Sequence, residues 1–122
     1  TLSSTNILNL HTTPIAVIAT PGAGKIIVID EWVFSFTVGT QYATGEAIEL
    51  QYVGSNASLA GSVSQTLIDG AASFIARRYP AATVVLDAGT NAAVEVALNI
   101  ATAYTGGTGT AKIFIKYRIL TL

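Results

Sequence analysis

Cysteine and methionine are absent from this sequence, and it has a single histidine, His11. Without cysteine the protein has no disulfide bond, thiolate metal ligand or cysteine nucleophile. The lack of methionine indicates that the initiator has been removed, or that the chain is a fragment or a processed product. One histidine gives little support for a metal site or a Ser-His-Asp triad, so we expect His11 to lie in a turn or an interface. We predict no enzymatic activity, catalytic residue, metal or cofactor.

Charged side chains are scarce as well. They make up 11% of the 122 residues, whereas about 25% is usual for a soluble domain. A surface this poor in charge favours partial coverage by other chains. The net charge of -1 argues against nucleic-acid binding, which needs clustered basic residues. No apolar run is long enough for a membrane helix and the first residues lack a signal-peptide pattern, so we expect no membrane partner.

The segment at residues 25–38 predicts one long β-strand at the centre of the fold. Its first half is rich in β-branched residues, and in its second half Trp32, Phe34 and Phe36 alternate with smaller side chains. The segment is longer than a typical strand, so we expect a bend near Asp30 and Glu31. The turn at residues 21–24 predicts that this strand forms a hairpin with the strand before it.

Short strand signals recur along the rest of the chain, with no convincing helix. We predict an all-β fold, an antiparallel β-sandwich that is jelly-roll-like, with an immunoglobulin-like sandwich as the alternative. The segment at 46–53 alternates as a half-buried strand would, and the segment at 62–68 fits a strand or one helical turn. Loops are expected at 40–45 and 105–109. The other predicted strands lie at residues 15–19, 74–79, 83–86, 92–100 and 113–119.

The first ten residues form an N-terminal arm or added strand in this interpretation, and residues 11–122 form a single sandwich domain. A frayed terminus is the alternative. The apolar residues of the arm, Ile7, Leu8 and Leu10, are candidate partner contacts. We expect the arm to be dispensable for folding.

Basic side chains lie on one face of the last predicted strand. Lys112, Lys116 and Arg118 alternate with apolar residues, and Arg77 and Arg78 are candidates to extend the stripe. Such a stripe suits docking on an acidic protein surface. The alternative is that these charges protect an exposed sheet from aggregation.

Aromatic and amide side chains in three predicted loops suggest another kind of site. Tyr42, Asn56 and Tyr104 have the side chains that stack on sugar rings and bind hydroxyl groups. Residues of these types are also common in loops that bind nothing. Carbohydrate is therefore a second candidate partner.

Four turn and strand motifs stand out together along the chain: Leu10-His11-Thr12-Thr13-Pro14, Pro21-Gly22-Ala23-Gly24-Lys25, the loop with Gly39-Thr40 and Tyr42, and Tyr117-Arg118-Ile119-Leu120. Together they resemble the motifs of small β-rich virion proteins of tailed bacteriophages, some of which look like capsid decoration or cement proteins.

This resemblance implies a non-enzymatic virion structural protein. It would bind the major capsid protein as a homotrimer, stabilise the shell, and lie on the capsid surface after synthesis in the host cytoplasm. The alternative is a carbohydrate- or receptor-binding module of a phage tail fibre or baseplate.

Overall fold

The computed structural model describes residues 1–55, 57–81, 90–98 and 102–122. Within these ranges the chain forms nine strands and two short helices. In chain order they are α1 (Ser4–Asn9), β1 (Ile15–Ile18), β2 (Lys25–Thr37), β3 (Tyr42–Thr44), β4 (Ile48–Tyr52), β5 (Ser62–Val63), α2 (Gln65–Ile68), β6 (Phe74–Arg78), β7 (Val94–Leu98), β8 (Tyr104–Gly106) and β9 (Thr110–Thr121).

The strands form a four-stranded sheet in the order β1-β7-β4-β5, a three-stranded sheet in the order β6-β2-β9, and a ribbon of β3 and β8. All of these pairs are antiparallel. The two larger sheets bury one continuous apolar core. The prediction of an all-β antiparallel sandwich is therefore confirmed, while a jelly-roll connectivity stays a prediction. The strand predicted at 83–86 lies outside the described residues.

β2 is the central strand of the three-stranded sheet, as predicted. Trp32 and Phe34 have no solvent exposure, and Phe36 is 2% exposed. The aromatic rings of Phe34 and Phe36 stack with centroids 6.4 Å apart. The pairing with β9 shifts register between Ile29 and Glu31, at the place where the bend is predicted.

The hairpin predicted between the first two strands is wrong. β1 pairs with β7 in the other sheet, whereas β2 pairs with β6 and β9. The intervening turn, with Gly22 at φ +100° and Gly24 at φ +67°, instead carries the chain from one sheet to the other. Turn residues predict a change of direction, but they do not determine which strand becomes the neighbour.

The prediction that β4 is half-buried is also wrong, because all five of its residues are buried. Glu49 is 1% exposed and Gln51 is 6% exposed. The loop after β4 returns alongside the strand, and the Leu59 N–H donates to the Leu50 carbonyl oxygen at 2.9 Å. Alternation within one strand does not reveal a loop that covers its polar face.

Two of the predicted loops contain paired strands. β3 and β8 form a ribbon in which the Tyr42 hydroxyl donates to the Gly109 carbonyl oxygen at 2.7 Å. The segment at 62–68, predicted as a strand or one helical turn, contains a short strand, β5, followed by a short helix, α2. Ser64 caps this helix by accepting a hydrogen bond from the Thr66 N–H.

The expected N-terminal arm is wrong for residues 4–9, which form α1. Ser3 and Asn6 make a capping box, in which each side chain accepts a hydrogen bond from the backbone N–H of the other. Such a box stabilises the first turn of a helix. Ile7 and Leu10 have no solvent exposure, and Leu2 forms an isolated bridge with Ala111 of β9. The start of the chain is thus part of the sandwich core.

Candidate docking face

The outer face of the three-stranded sheet carries side chains that the core does not use. Directly opposite residues of an antiparallel pair point to the same face. Trp32 and Phe34 point into the core, so the residues between and beside them point outward. We call the following residues the outer face: Glu31, Val33 and Ser35 of β2, Ile75 and Arg77 of β6, and Lys112, Phe114 and Lys116 of β9.

Two large apolar side chains are exposed on the outer face. Phe114, opposite Val33, is 59% exposed, and Ile75, opposite Ser35, is 74% exposed. Val33 is half-buried between the flanking strands. Apolar side chains gathered on a solvent-facing sheet are typical of an interaction surface.

The charges on this side of the sheet are only partly balanced. The described residues form two ion pairs there: Arg77 Nε donates to Glu31 Oε2 at 3.0 Å, and Arg118 Nε lies 3.3 Å from Asp30 Oδ1. Lys112 and Lys116 have no carboxylate partner among the described residues. The outer face therefore combines an apolar centre with an excess of positive charge.

The structure brings the predicted basic residues of the last strand together. Lys112 and Lys116 flank Phe114 on the outer face, and Arg118 continues the row on the same side of β9. Arg77 joins them from β6. Arg78 does not, because it lies opposite Trp32 on the inner face, where its Nε donates to the Ser62 carbonyl oxygen at 2.6 Å.

The three apolar candidates near the N-terminus lie elsewhere. Ile7 and Leu10 are completely buried in this chain's own core, and Leu8 is half-buried. Neither buried side chain reaches the surface, because both pack into the core of the sandwich. A partner contact in this segment stays a prediction for Leu8.

Phe114 and Ile75 were not among the residues predicted to bind a partner. The available signal was the alternation of Phe114 with Lys112 and Lys116, which places a large apolar side chain on the charged face of a strand. No comparable signal marks Ile75 in the sequence. Its exposure depends on the register of β6 against β2, which is a long-range pairing.

Apart from the outer face, two polar side chains of β4, Glu49 and Gln51, are buried on the four-stranded sheet. The Gln51 side-chain amide donates to Glu95 Oε1 at 2.9 Å across the β4 and β7 pair. Neither carboxyl oxygen of Glu49 has a hydrogen-bond partner among the described residues. Burial raises the pKa of Glu49, and the nearby Ser58 hydroxyl opposes this rise without forming a well-aligned hydrogen bond. Glu49 is therefore a carboxyl group whose neutral form the fold favours.

The proposed sugar-binding rim is wrong at both tyrosines. Tyr42 is 3% exposed and Tyr104 is 2% exposed. Their rings pack edge to face with centroids 5.6 Å apart. Burial raises the pKa of Tyr42 to about 12. Asn56, the third residue of the rim, lies outside the described residues.

The described residues contain no metal site and no membrane-spanning helix. His11 is exposed in the turn after α1. Within the described ranges, no three His, Cys, Asp or Glu side chains lie close enough together to hold a metal ion. None of the helices described there is long and apolar enough to cross a membrane.

Comparisons with protein-family models, with curated proteins and with solved structures found no match to this chain.

Proposed function

We propose that this chain is a non-enzymatic assembly protein that docks on other protein subunits through its outer face. In the form that the sequence resemblance implies, it is a capsid decoration or cement protein that binds the major capsid protein as a homotrimer and stabilises the phage head. The observation that carries the docking proposal is the exposed apolar pair, Phe114 and Ile75, with Lys112 and Lys116 beside Phe114.

The chemistry of the outer face favours an acidic partner surface. Apolar contact supplies the main stabilisation of an interface, while matched charges determine which partner is accepted. Lys112 and Lys116 have no carboxylate partner among the described residues, so they are available to carboxylates of another protein. Two copies of the outer face would bring these lysines together, which is unfavourable. The partner is therefore a different surface.

The docking proposal is tested by binding to the heads of the phage that encodes this chain, prepared without it. We expect the wild-type protein to pellet with these heads and to raise the temperature at which they break open. Phe114→Asp is expected to weaken the binding by about tenfold or more, because it places a charge in the apolar centre of the face.

Val53→Asp is the matched control, because Val53 is 51% exposed in the turn after β4, away from the outer face. Circular dichroism establishes that both variants fold. Equal binding by both variants would show that another surface docks. Heads that do not bind the wild-type protein would contradict the proposed function itself.

The alternative function, carbohydrate binding in a tail fibre or baseplate, has no exposed aromatic side chain from the predicted rim to support it. Binding of the wild-type chain to a glycan array, together with failure to bind heads, would favour that alternative.

A further inference from the structure

β9 is an edge strand, and most of its outer edge is unpaired within the described part of the chain. Leu2 covers one end: its N–H donates to the Ala111 carbonyl oxygen at 2.7 Å, and the Ala111 N–H donates to the Leu2 carbonyl oxygen at 3.0 Å. Both backbone groups of Ala111 thus point away from β2. Because these directions alternate along an antiparallel strand, the backbone groups of Ile113, Ile115 and Tyr117 also point outward.

A groove of about 410 Å³ lies beside this edge, between β9 and β1. Ile113, Ile115 and Tyr117 line it from β9, and Ile15 and Val17 line it from β1. β1 is itself the edge strand of the four-stranded sheet. The groove therefore lies where the sandwich is open between two sheet edges.

We propose that β9 accepts an added β-strand from a partner protein, and that this strand alternates apolar with acidic side chains. Its backbone would continue the pairing that Leu2 begins. Alternate side chains of a strand point to opposite faces, so one set would enter the groove between β1 and β9. The other set would lie on the outer face beside Lys112 and Lys116. Main-chain hydrogen bonds provide affinity in this type of recognition, and the alternate side chains provide specificity.

Charge complementarity identifies the occupant. β9 carries three basic residues and no acidic residue. Antiparallel pairing of two β9 strands from two copies would place basic side chains near one another, which destabilises a strand pair. An acidic strand removes this repulsion and neutralises the lysines. This inference rests on the proposed function, because it names how the partner engages the strand that also supplies Phe114 to the outer face.

The test uses the whole chain and a short synthetic peptide of alternating Glu and Val, labelled with a neutral dye. The control peptide has Lys in place of Glu. Fluorescence anisotropy is expected to show that the acidic peptide binds at least about tenfold more tightly than the basic one, and that added salt weakens this binding. Hydrogen exchange is expected to slow at the amides of Ile113, Ile115 and Tyr117 when the acidic peptide is bound.

Two pairs of variants locate the site. Lys116→Glu is expected to weaken binding of the acidic peptide by about tenfold, whereas Lys25→Glu, the same charge change at the exposed start of β2, leaves it unchanged. Val17→Asp places a charge in the groove and is expected to abolish binding. Val53→Asp, the same substitution at an exposed valine outside the groove, is its control.

Equal affinity for both peptides, no binding of the acidic peptide, or slowed exchange at other amides would overturn strand addition by an acidic partner. So would self-association of the wild-type chain that protects the same amides, because a second copy would then occupy the edge. If the chain binds heads through Phe114 but not the acidic peptide, the proposed function stands and strand addition fails. If it binds neither, both fail.

Discussion

At the scale of single residues, Trp32 does more than fill the core: it also makes an aromatic contact and a side-chain hydrogen bond. Its ring is completely buried and meets Phe34 edge to face at 6.0 Å. Its indole N–H donates to the Ala60 carbonyl oxygen at 3.0 Å and thereby fixes the loop between β4 and β5. The residue joins the central strand to a connection of the opposite sheet.

Trp32→Ala is expected to lower the free energy of unfolding by about 3–5 kcal/mol, because it leaves a large cavity and an unpaired buried carbonyl group. Urea unfolding followed by circular dichroism measures the change. Val53→Ala, at an exposed position, is the control and is expected to change stability by less than about 0.5 kcal/mol. A midpoint for Trp32→Ala equal to that of the wild type would mean that the ring is not in the core.

Glu49 gives a prediction about pH. Burial raises its pKa above the ordinary value of 4.5, so the folded state holds a proton that the unfolded chain releases at lower pH. The contribution of this group is therefore fully favourable below pH 4.5 and decreases as pH rises through the folded-state pKa. Glu49→Gln removes this titration, and we expect the variant to lose less stability than the wild type between acidic and neutral pH.

Urea unfolding at a series of pH values measures this difference. The control is Val53→Ala, at an exposed position without a titrating group, which is expected to keep the wild-type pH dependence. If Glu49→Gln and the wild type lose stability in parallel, the carboxyl group is ionised in the folded protein, and a partner for it must exist.

At the scale of secondary-structure elements, α1 changes what the first ten residues do. Burial of a large aliphatic side chain stabilises a fold by about 1.5–3 kcal/mol, and this segment buries three of them, Leu2, Ile7 and Leu10. Their sum is a large part of the total stability of a small domain, about 5–15 kcal/mol. The expectation that the segment is dispensable for folding is therefore reversed.

Deletion of residues 1–10 is expected to abolish cooperative thermal unfolding or to lower the Tm greatly. A milder variant, Ser3→Ala, removes the N-cap of α1 and is expected to cost about 0.5–2 kcal/mol. Circular dichroism melting curves compare the two with Thr1→Ala, whose side chain is exposed. A truncated chain that melts like the wild type would restore the view of this segment as a detachable arm.

The elements that could be predicted from the sequence are those with strong local signals. The length and central position of β2 followed from its β-branched run and its alternating aromatic residues, and its adjacent carboxylates mark the place of the register shift. The pairing of β1 with β7 and the covering of Glu49 could not be predicted, because both depend on contacts between distant parts of the chain. α1 was missed because a six-residue helix is too short for a periodic pattern, although the Ser3 and Asn6 cap was present in the sequence.

The candidate docking face could likewise be predicted from the sequence only in part. The common side of Lys112, Lys116 and Arg118 followed from alternation within one strand. The neighbours of Phe114, and the groove between β9 and β1, depend on strand order and therefore needed the structure. Local periodicity thus predicts what one strand presents, and only the topology shows which strands present it together.

At the scale of the whole molecule, the proposed assembly would account for both the scarcity of charge and the position of the exposed apolar residues. Four large apolar side chains of β9, Phe114, Tyr117, Ile119 and Leu120, are at least 40% exposed. An edge strand of this kind is prone to pair with other chains unless something covers it. Assembly with partners or with further copies covers such surface, and it also removes the need for a highly charged exterior.

A homotrimer, which the sequence resemblance implies, makes stability depend on concentration by mass action. With an unfolding entropy of about 2.1 cal/mol/K per residue, a tenfold increase in protein concentration should raise the Tm of a trimer of this size by about 3–4 °C. Differential scanning calorimetry measures this shift, and sedimentation equilibrium gives the mass at the same concentrations. A chain that sediments as a monomer, with a Tm independent of concentration, would contradict the trimer. The outer face would then act from a single copy, so each docked chain would bind its partner without the avidity that three linked copies provide.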